Sequence, residues 1–410
     1  MNEPKNAVSI VGQRFFPLDR RLGLLTGGYT PQVQEAMTRL GSRLSYKEAQ
    51  EELSFMWNIA GCKATVCNTT MRYGHHNLAV EEREIAKLEE GKERPKAKPK
   101  QLVMSVDGAM VQLTTGEWRE AKLAAFGEFE SRVNEAKGDV RAKTETVSYF
   151  ARMESSAEFE RSALLEWHKR GGENAKRVVA VNDGAVWIQS FIDYHCPHAT
   201  RVIDFAHAQG YLSTIGKLTY TEGSEAYKTW FAKTSKQLGT NPPSRTLNDL
   251  RFLQSRQTDG VVQTEMDVAI RYLETRQEMI DYPRFRRMQI PIGSGMSESG
   301  HKVVMQRRMK QAGMRWAEHN VNAMLSLRTA LCNGRWEATW KAITEQAQAS
   351  TQKRKLSESI PQPIHHVDER PVTEKDCQQL ERLKRRSRKG QKWQNHNALF
   401  PHRQPSLHRT

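Results

Sequence analysis

Apolar side chains between Tyr46 and Trp57 recur at Ala49, Leu53, Phe55, Met56 and Trp57 on a roughly helical spacing, and Ser45 with Glu48 forms a capping box that opens this segment. Thr30 before Pro31 marks an earlier helix start. A turn at Ala60 and Gly61 leads to Cys62–Tyr73, read as a short helix stopped by Gly74, with Thr65, Asn68, Thr69 and Arg72 along its polar side. The pattern changes after a charged stretch from Glu81 to Gln101 that ends in Pro95 and Pro99. Leu102 to Leu113 is strand-like, interrupted by Ser105, Asp107, Gly108 and Gln112, and strand candidates follow at Trp118 to Phe129 and Thr144 to Met153. Ala157 to Arg170 is helical in spacing and stops at Gly171 and Gly172. Arg177 to Val181 then has the branched run of a buried parallel strand. A helix over Val186 to Tyr194, a strand over Arg201 to Ile203 and a helix from about His207 complete the series.

The chain has 410 residues, 38% hydrophobic and 27% charged, enough to bury a large core. Lys and Arg number 63 against 47 Asp and Glu, a net charge of +16, which favours a polyanionic partner. Half of that excess falls between Thr351 and Thr410, where 14 basic residues meet 6 acidic ones among repeated prolines, so a disordered basic tail is expected over residues 346–410. No run of about 18 apolar residues is present, so no membrane span is expected. The first residues lack a secretory signal, and the five cysteines, odd in number and scattered, fit a reducing cytoplasmic compartment; nucleoid association is the expectation that goes with a DNA partner.

The element order is β-β-β-α-β-α-β-α, three antiparallel strands followed by parallel ones, which is the order of the α/β ribonuclease H-like fold. In that topology the first strand neighbours the first parallel one, so Asp107 and Asp183 face each other across a short gap. Carboxylates that close repel unless a cation lies between them, and hard oxygen donors select Mg²⁺ or Mn²⁺. An Asp before Gly is often only a turn former, which is the reading for Asp259; Asp107 instead interrupts an apolar strand. Residues 218–288 read as a helical insertion. Beyond it, IPIGSGMSESGHKVVMQRRMKQAGMRW (Ile290 to Trp316) carries Glu298 in the first turn of a helix that begins near Ser297, followed by Lys302, Arg307, Arg308, Lys310, Arg315 and Trp316. A carboxylate flanked by cations suits a place where metal and phosphate meet, and a basic amphipathic helix is the plainer alternative.

These stretches resemble the DDE transposases of bacterial insertion sequences, most of all the ISKra group and its relatives in the Mutator-like superfamily. The resemblance runs from about Phe16 to Trp340 and rests on SVDGA (Ser105 to Ala109), NDGAVWI (Asn182 to Ile188), DFAH (Asp204 to His207) and GSGMSESGHK with the following RRMK and GMRW. It implies Asp107, Asp183 and Glu298 as the metal-binding catalytic acids. Asp204 and His207 match an auxiliary motif that organises the site. Asn182 stands where the family usually has Gly, and Asp204, which also closes a parallel strand, competes with Asp183 as the second ligand.

The resulting expectation is a transposase that cuts element ends and joins them to target DNA with two Mg²⁺ about 4 Å apart. Its expected parts are an all-α DNA-binding region over 1–80 with a helix-turn-helix near 45–74, a charged linker over 81–101, core segments over 102–217 and 289–345, the insertion and the tail. Arg72, Lys302, Arg307, Arg308, Lys310, Arg315 and Trp316 are the expected DNA contacts, although Trp316 stacking on a base competes with plain packing, as a site role for His207 competes with a core one. Duplex DNA and a second copy for synapsis are the expected partners, with no ATP, since no GxxxxGK[ST] loop is present. A non-catalytic regulator derived from a transposase and a ribonuclease H-like nuclease or resolvase are the alternatives.

Overall fold

The structure is a computed structural model that describes residues 8–10, 13–15, 29–59, 61–91, 94–134 and 139–359. The chain divides into two units, Met1–Thr351 and Gln352–Thr410, and the fold is that of the first. Strands β1 (Val8–Ile10) and β2 (Gln13–Phe15) pair antiparallel. The all-α reading of residues 1–80 missed them, because three residues per strand carry no legible alternation.

Helix α1 (Pro31–Gly41) starts where Thr30 accepts the Val33 N–H, with Pro31 in its first turn. Helix α2 (Tyr46–Trp57) opens on the reciprocal Ser45 and Glu48 bonds of the capping box, at 3.2 and 2.9 Å. It ends on Asn58 in the left-handed conformation, ahead of the turn expected at Ala60 and Gly61. Helix α3 (Lys63–Glu89) corrects two expectations: it runs 27 residues, through Gly74 and through the first part of the supposed linker. Gly74 is a crossing point and not a stop, since a Cβ there would lie 2.7 Å from the Ala323 carbonyl oxygen. The acids after it are paired, Glu81 with Arg152, Glu82 and Glu89 with Arg161, and Glu84 with Lys169. Their charge marks ion pairs to the core, which composition alone does not distinguish from a solvated linker.

Strands β3 (Gln101–Gln112), β4 (Trp118–Asn134) and β5 (Asp139–Arg152) form an antiparallel meander. Helix α4 (Ser156–Lys169), β6 (Arg177–Asn182), α5 (Val186–His195), β7 (Thr200–Ile203) and α6 (Phe205–Thr219) follow. The five strands lie in the order β5-β4-β3-β6-β7, with β3–β6 and β6–β7 parallel. This is a mixed α/β fold with the element order read from the sequence.

The alternation of β3 divides the core. Leu102, Met104 and Val106 face Phe126 of β4 and Phe159, Trp167 and Phe191 of α4 and α5. Val103 and Val111 face the other way, with Val179 and Val181 of β6, toward Leu212, Ile270, Met305 and Val321. Each fully buried side chain of this size contributes about 1.5–3 kcal/mol.

The insertion is helical as expected: α7 (Glu225–Thr240), α8 (Pro243–Ser255), α9 (Gly260–Glu274) and α10 (Tyr282–Arg287). Asp259 caps α9, accepting the Val261 N–H at 2.8 Å. Then come α11 (Gly295–Gly300), a π-helical turn (His301–Gln306), α12 (Arg307–Met309), α13 (Glu318–Cys332) and α14 (Trp336–Ser359). Helix α14 passes through the start of the tail expected to be disordered; it begins on Trp336 and Ile343, buried with Tyr73 and Leu327, and then extends at one backbone bond per residue. The rest of that tail, from residue 360, lies outside the described residues. Among the described residues no helix is long and apolar enough to cross a membrane, and Cys62, Cys67, Cys196 and Cys332 are all free thiols.

Candidate active site

The β3–β6 ladder is in register as far as Met104 and Ala180. Beyond that point a side chain takes over: the Val106 N–H donates to Asn182 Oδ1 at 2.5 Å, while the Asn182 carbonyl accepts the Asp204 N–H at 2.8 Å. Asn182, the departure from the resembled motif, thus ties β3 to β6 and β6 to the end of β7. Asp107 and Asp183 are the next residues along the two strands.

Each aspartate is held locally. Asp107 Oδ1 accepts the Gly108 N–H at 2.7 Å, and its Oδ2 lies 3.1 Å from His301 Nε2. Asp183 Oδ1 accepts the Ala185 N–H at 2.9 Å, which turns the chain into α5. Between them Gly184 adopts φ +82°, where a Cβ would lie 2.5 Å from both Ile203 Cδ1 and Tyr272 Oη, so conformation and space both require glycine. The insertion grips this turn: Tyr272 Oη donates to the Asp183 carbonyl, and Arg276 Nη2 donates to the Gly184 carbonyl at 3.3 Å. The Arg276 guanidinium also lies 4.0 Å above the Tyr272 ring, which stacks on Tyr211 at 4.0 Å.

Helix α11 meets β3 at two points. Ser297 Oγ lies 3.0 Å from Ser105 Oγ, and His301, one turn on, reaches Asp107. Glu298 sits between these contacts and is exposed. At about 100° per residue it projects about 60° from His301, on the flank of the face that touches β3. Among the described residues no three acids, histidines or cysteines stand close enough to hold a metal ion. The hard oxygen donors suit Mg²⁺ or Mn²⁺, but the three carboxyl groups are not gathered into one cation-holding set.

Asp204 has a different role. It is 8% exposed, and both its oxygens are taken by backbone N–H groups: His207 at 2.9 Å and Ser294 at 2.6 Å. It clamps the start of α6 to the lead into α11. The His207 ring packs edge-on against Tyr211 and Tyr272 at 5.4 and 6.1 Å.

The expected DNA contacts separate into two groups. Lys302, Arg307, Lys310 and Arg315 are exposed. Arg308 is 1% exposed, donates Nε to the Gly41 carbonyl at 2.8 Å and lies between the Tyr46 and Trp316 rings; Trp316, itself buried, donates Nε1 to the Met309 carbonyl at 3.1 Å. Both are core residues and leave the contact set. Arg72 is half-buried and donates Nη2 to Gln34 Oε1 at 2.7 Å, and Thr69 is buried, so half of the polar side read into Cys62–Tyr73 serves helix packing, while Asn68 is exposed.

Sequence reasoning missed His301, Tyr272 and Arg276. A signal existed for His301, three residues after Glu298 and therefore on nearly the same side of a helix. Tyr272 and Arg276 reach Asp183 and Gly184 across roughly ninety residues of chain, and no local pattern marks such a contact.

The fold and site define a mixed α/β protein with one acid inside β3, beyond the point where its pairing with β6 ends, another just past the end of β6, and a helical insertion closing over the second. The Uncharacterised protein family (UPF0236) matches residues 31–346, and the chain belongs to this family. A protein of Streptococcus gallolyticus described as "UPF0236 protein in vanSb 3'region" is 24% identical over 336 residues, which is 80% of this chain and 69% of its own.

Proposed function

We propose that this chain is a DNA transposase with a ribonuclease H-like core, which cuts element ends and joins them to a target, and that Asp107, Asp183 and Glu298 are its catalytic acids. The carrying observation is the convergence of three distant segments: β3 and β6 are joined by the Val106–Asn182 bond, and β3 and α11 by the Ser105–Ser297 and Asp107–His301 contacts. The order β5-β4-β3-β6-β7 supports the fold part of the reading. Asp183 is preferred to Asp204 because Asp204 already gives both oxygens to backbone N–H groups. A divalent cation, Mg²⁺ or Mn²⁺, belongs to the proposal through the chemistry of the acids. Duplex DNA as partner follows from the charge of +16 and the exposed cations after Glu298, and synapsis of two ends calls for a second copy.

The absence of a cation-holding group of acids among the described residues favours a second reading, a DNA-binding regulator without catalysis. Incubating the full chain with its flanking DNA and Mg²⁺, and mapping nicks and joined products, separates them. Nicking and joining that EDTA and Asp107→Asn abolish, with binding retained, support the transposase. Nicking without joining supports a nuclease, and binding without either product supports the regulator.

A further inference from the structure

Several buried or half-buried arginines of the core face a carboxylate, as Arg152 faces Glu81 and Arg335 faces Glu166. Arg308 and Arg328 do not. Arg328, 4% exposed, donates Nη1 to the Ser42 carbonyl at 3.0 Å, Nε to the Val304 carbonyl at 3.2 Å and Nη2 to the Val303 carbonyl. Together with the Arg308 bond to Gly41, these bonds fasten the end of α1 to the π-helical turn. They also hold the carbonyls of that turn in place.

The turn has a consequence for the cations. The Arg307 N–H bonds back to the Lys302 carbonyl, five residues earlier. One π turn therefore stacks Lys302 and Arg307 on the same side, whereas a regular α-helix would set them about 140° apart. Arg43 directly follows Ser42, so the Arg328 bonds bring it to this junction from another element. Lys302, Arg307 and Arg43 are exposed, and none joins an ion pair among the described residues. Burial lowers the pKa of Arg328, and against the opposing pull of Cys332 the charges of Arg307 and Arg43 push it the same way, so both cations lie near the buried guanidinium. Like charges gathered this way are relieved by an anion.

We propose that Arg43, Lys302 and Arg307, set over the buried Arg328, form a phosphate-binding surface that takes the backbone of duplex DNA beside the helix bearing Glu298. The inference rests on the reading above that the partner is DNA, and it names where the strand lies. Cations gathered from two elements match phosphates on a duplex backbone.

The test uses the full chain and fluorescence anisotropy of a labelled 30-base-pair duplex at several KCl concentrations without divalent ions. Arg43→Ala with Arg307→Ala is compared with Lys233→Ala and Lys236→Ala, which removes the same charge from exposed positions on α7. Circular dichroism confirms that both variants fold. The expected result is about tenfold or greater loss of affinity at 150 mM KCl, with the log–log salt slope reduced by about two, in the first variant alone. Equal losses in both variants, or an unchanged slope, overturn the proposal. So does tighter binding of labelled polyglutamate than of DNA by the wild type, because the surface then serves an acidic protein. If the first variant loses DNA while the wild type forms no nicked or joined product, the surface stands and the catalytic reading alone falls.

Discussion

One face of β3 is apolar along its buried length, with Leu102, Met104 and Val106 against Phe126, Trp167 and Phe191, whereas the other sets Ser105 and Asp107 between Val103 and Val111. The first face is explained by burial alone. The second is not, since an apolar residue at either position would spare the desolvation cost of a polar group. Both polar side chains are matched by partners on one distant helix, Ser297 and His301. The difference teaches that the two faces of a single strand answer to different demands: packing on one side, and on the other the placement of an acid and of the helix that carries Glu298.

Replacing Asp107 with Asn should break the contrast most sharply. DNA cutting and joining should fall on the order of 10³-fold or more in a product assay, while the midpoint of denaturant unfolding stays close to wild type, because the Asp107 side chain is 43% exposed. An equal fall in stability would mean that the acid is structural. Trp167→Ala on the apolar face should do the reverse, costing about 3–5 kcal/mol by urea unfolding, with activity per folded molecule retained.

His195 tests the apolar side by pH. Its ring lies among Trp167, Phe191 and Tyr194, and burial pushes its pKa from 6.5 down to about 3. The folded state holds the ring neutral while the unfolded chain binds a proton below 6.5, so this contribution is present above pH 6.5 and is lost as pH falls toward 3. Between pH 6.5 and 5 the loss should reach about 2 kcal/mol, and His195→Phe should remove it. An acid limb identical in that variant would show that the ring is solvated. The smallest effect should come from Ser105→Ala, about 1 kcal/mol from the lost bond to Ser297, measured by thermal unfolding.

Elements whose cause is local were legible in the sequence. The Thr30 cap and the Ser45–Glu48 box stand where their residue types require, and the branched run of β6 lies buried between two parallel neighbours, whereas Asp259, read as a turn, caps a helix. Elements whose cause is distant were not. Glu81, Glu82, Glu84 and Glu89 look like a solvated linker until Arg152, Arg161 and Lys169 come into view. Gly74 reads as a stop until Ala323 fills the place of its side chain. Arg308 reads as a DNA contact because charge is visible along a chain, whereas the direction in which its helix turns it is decided by what packs beneath, here Gly41 and Tyr46. For the acids, the residue types and the pairing of their strands were accessible, and the hold of His301 on Asp107 and of Tyr272 on the Asp183 turn was not.

The close passage of α3 over α13 at Gly74 and Ala323 also fixes an order of events. Tyr73 on α3 finds its apolar cover in Leu327, Trp336 and Ile343, so this stretch of the first long helix to leave the ribosome is buried only once α14 has been synthesised, whereas Val66 on the same helix packs early against Met37 and Leu53. A nascent chain halted before residue 318 would leave Tyr73 without that cover.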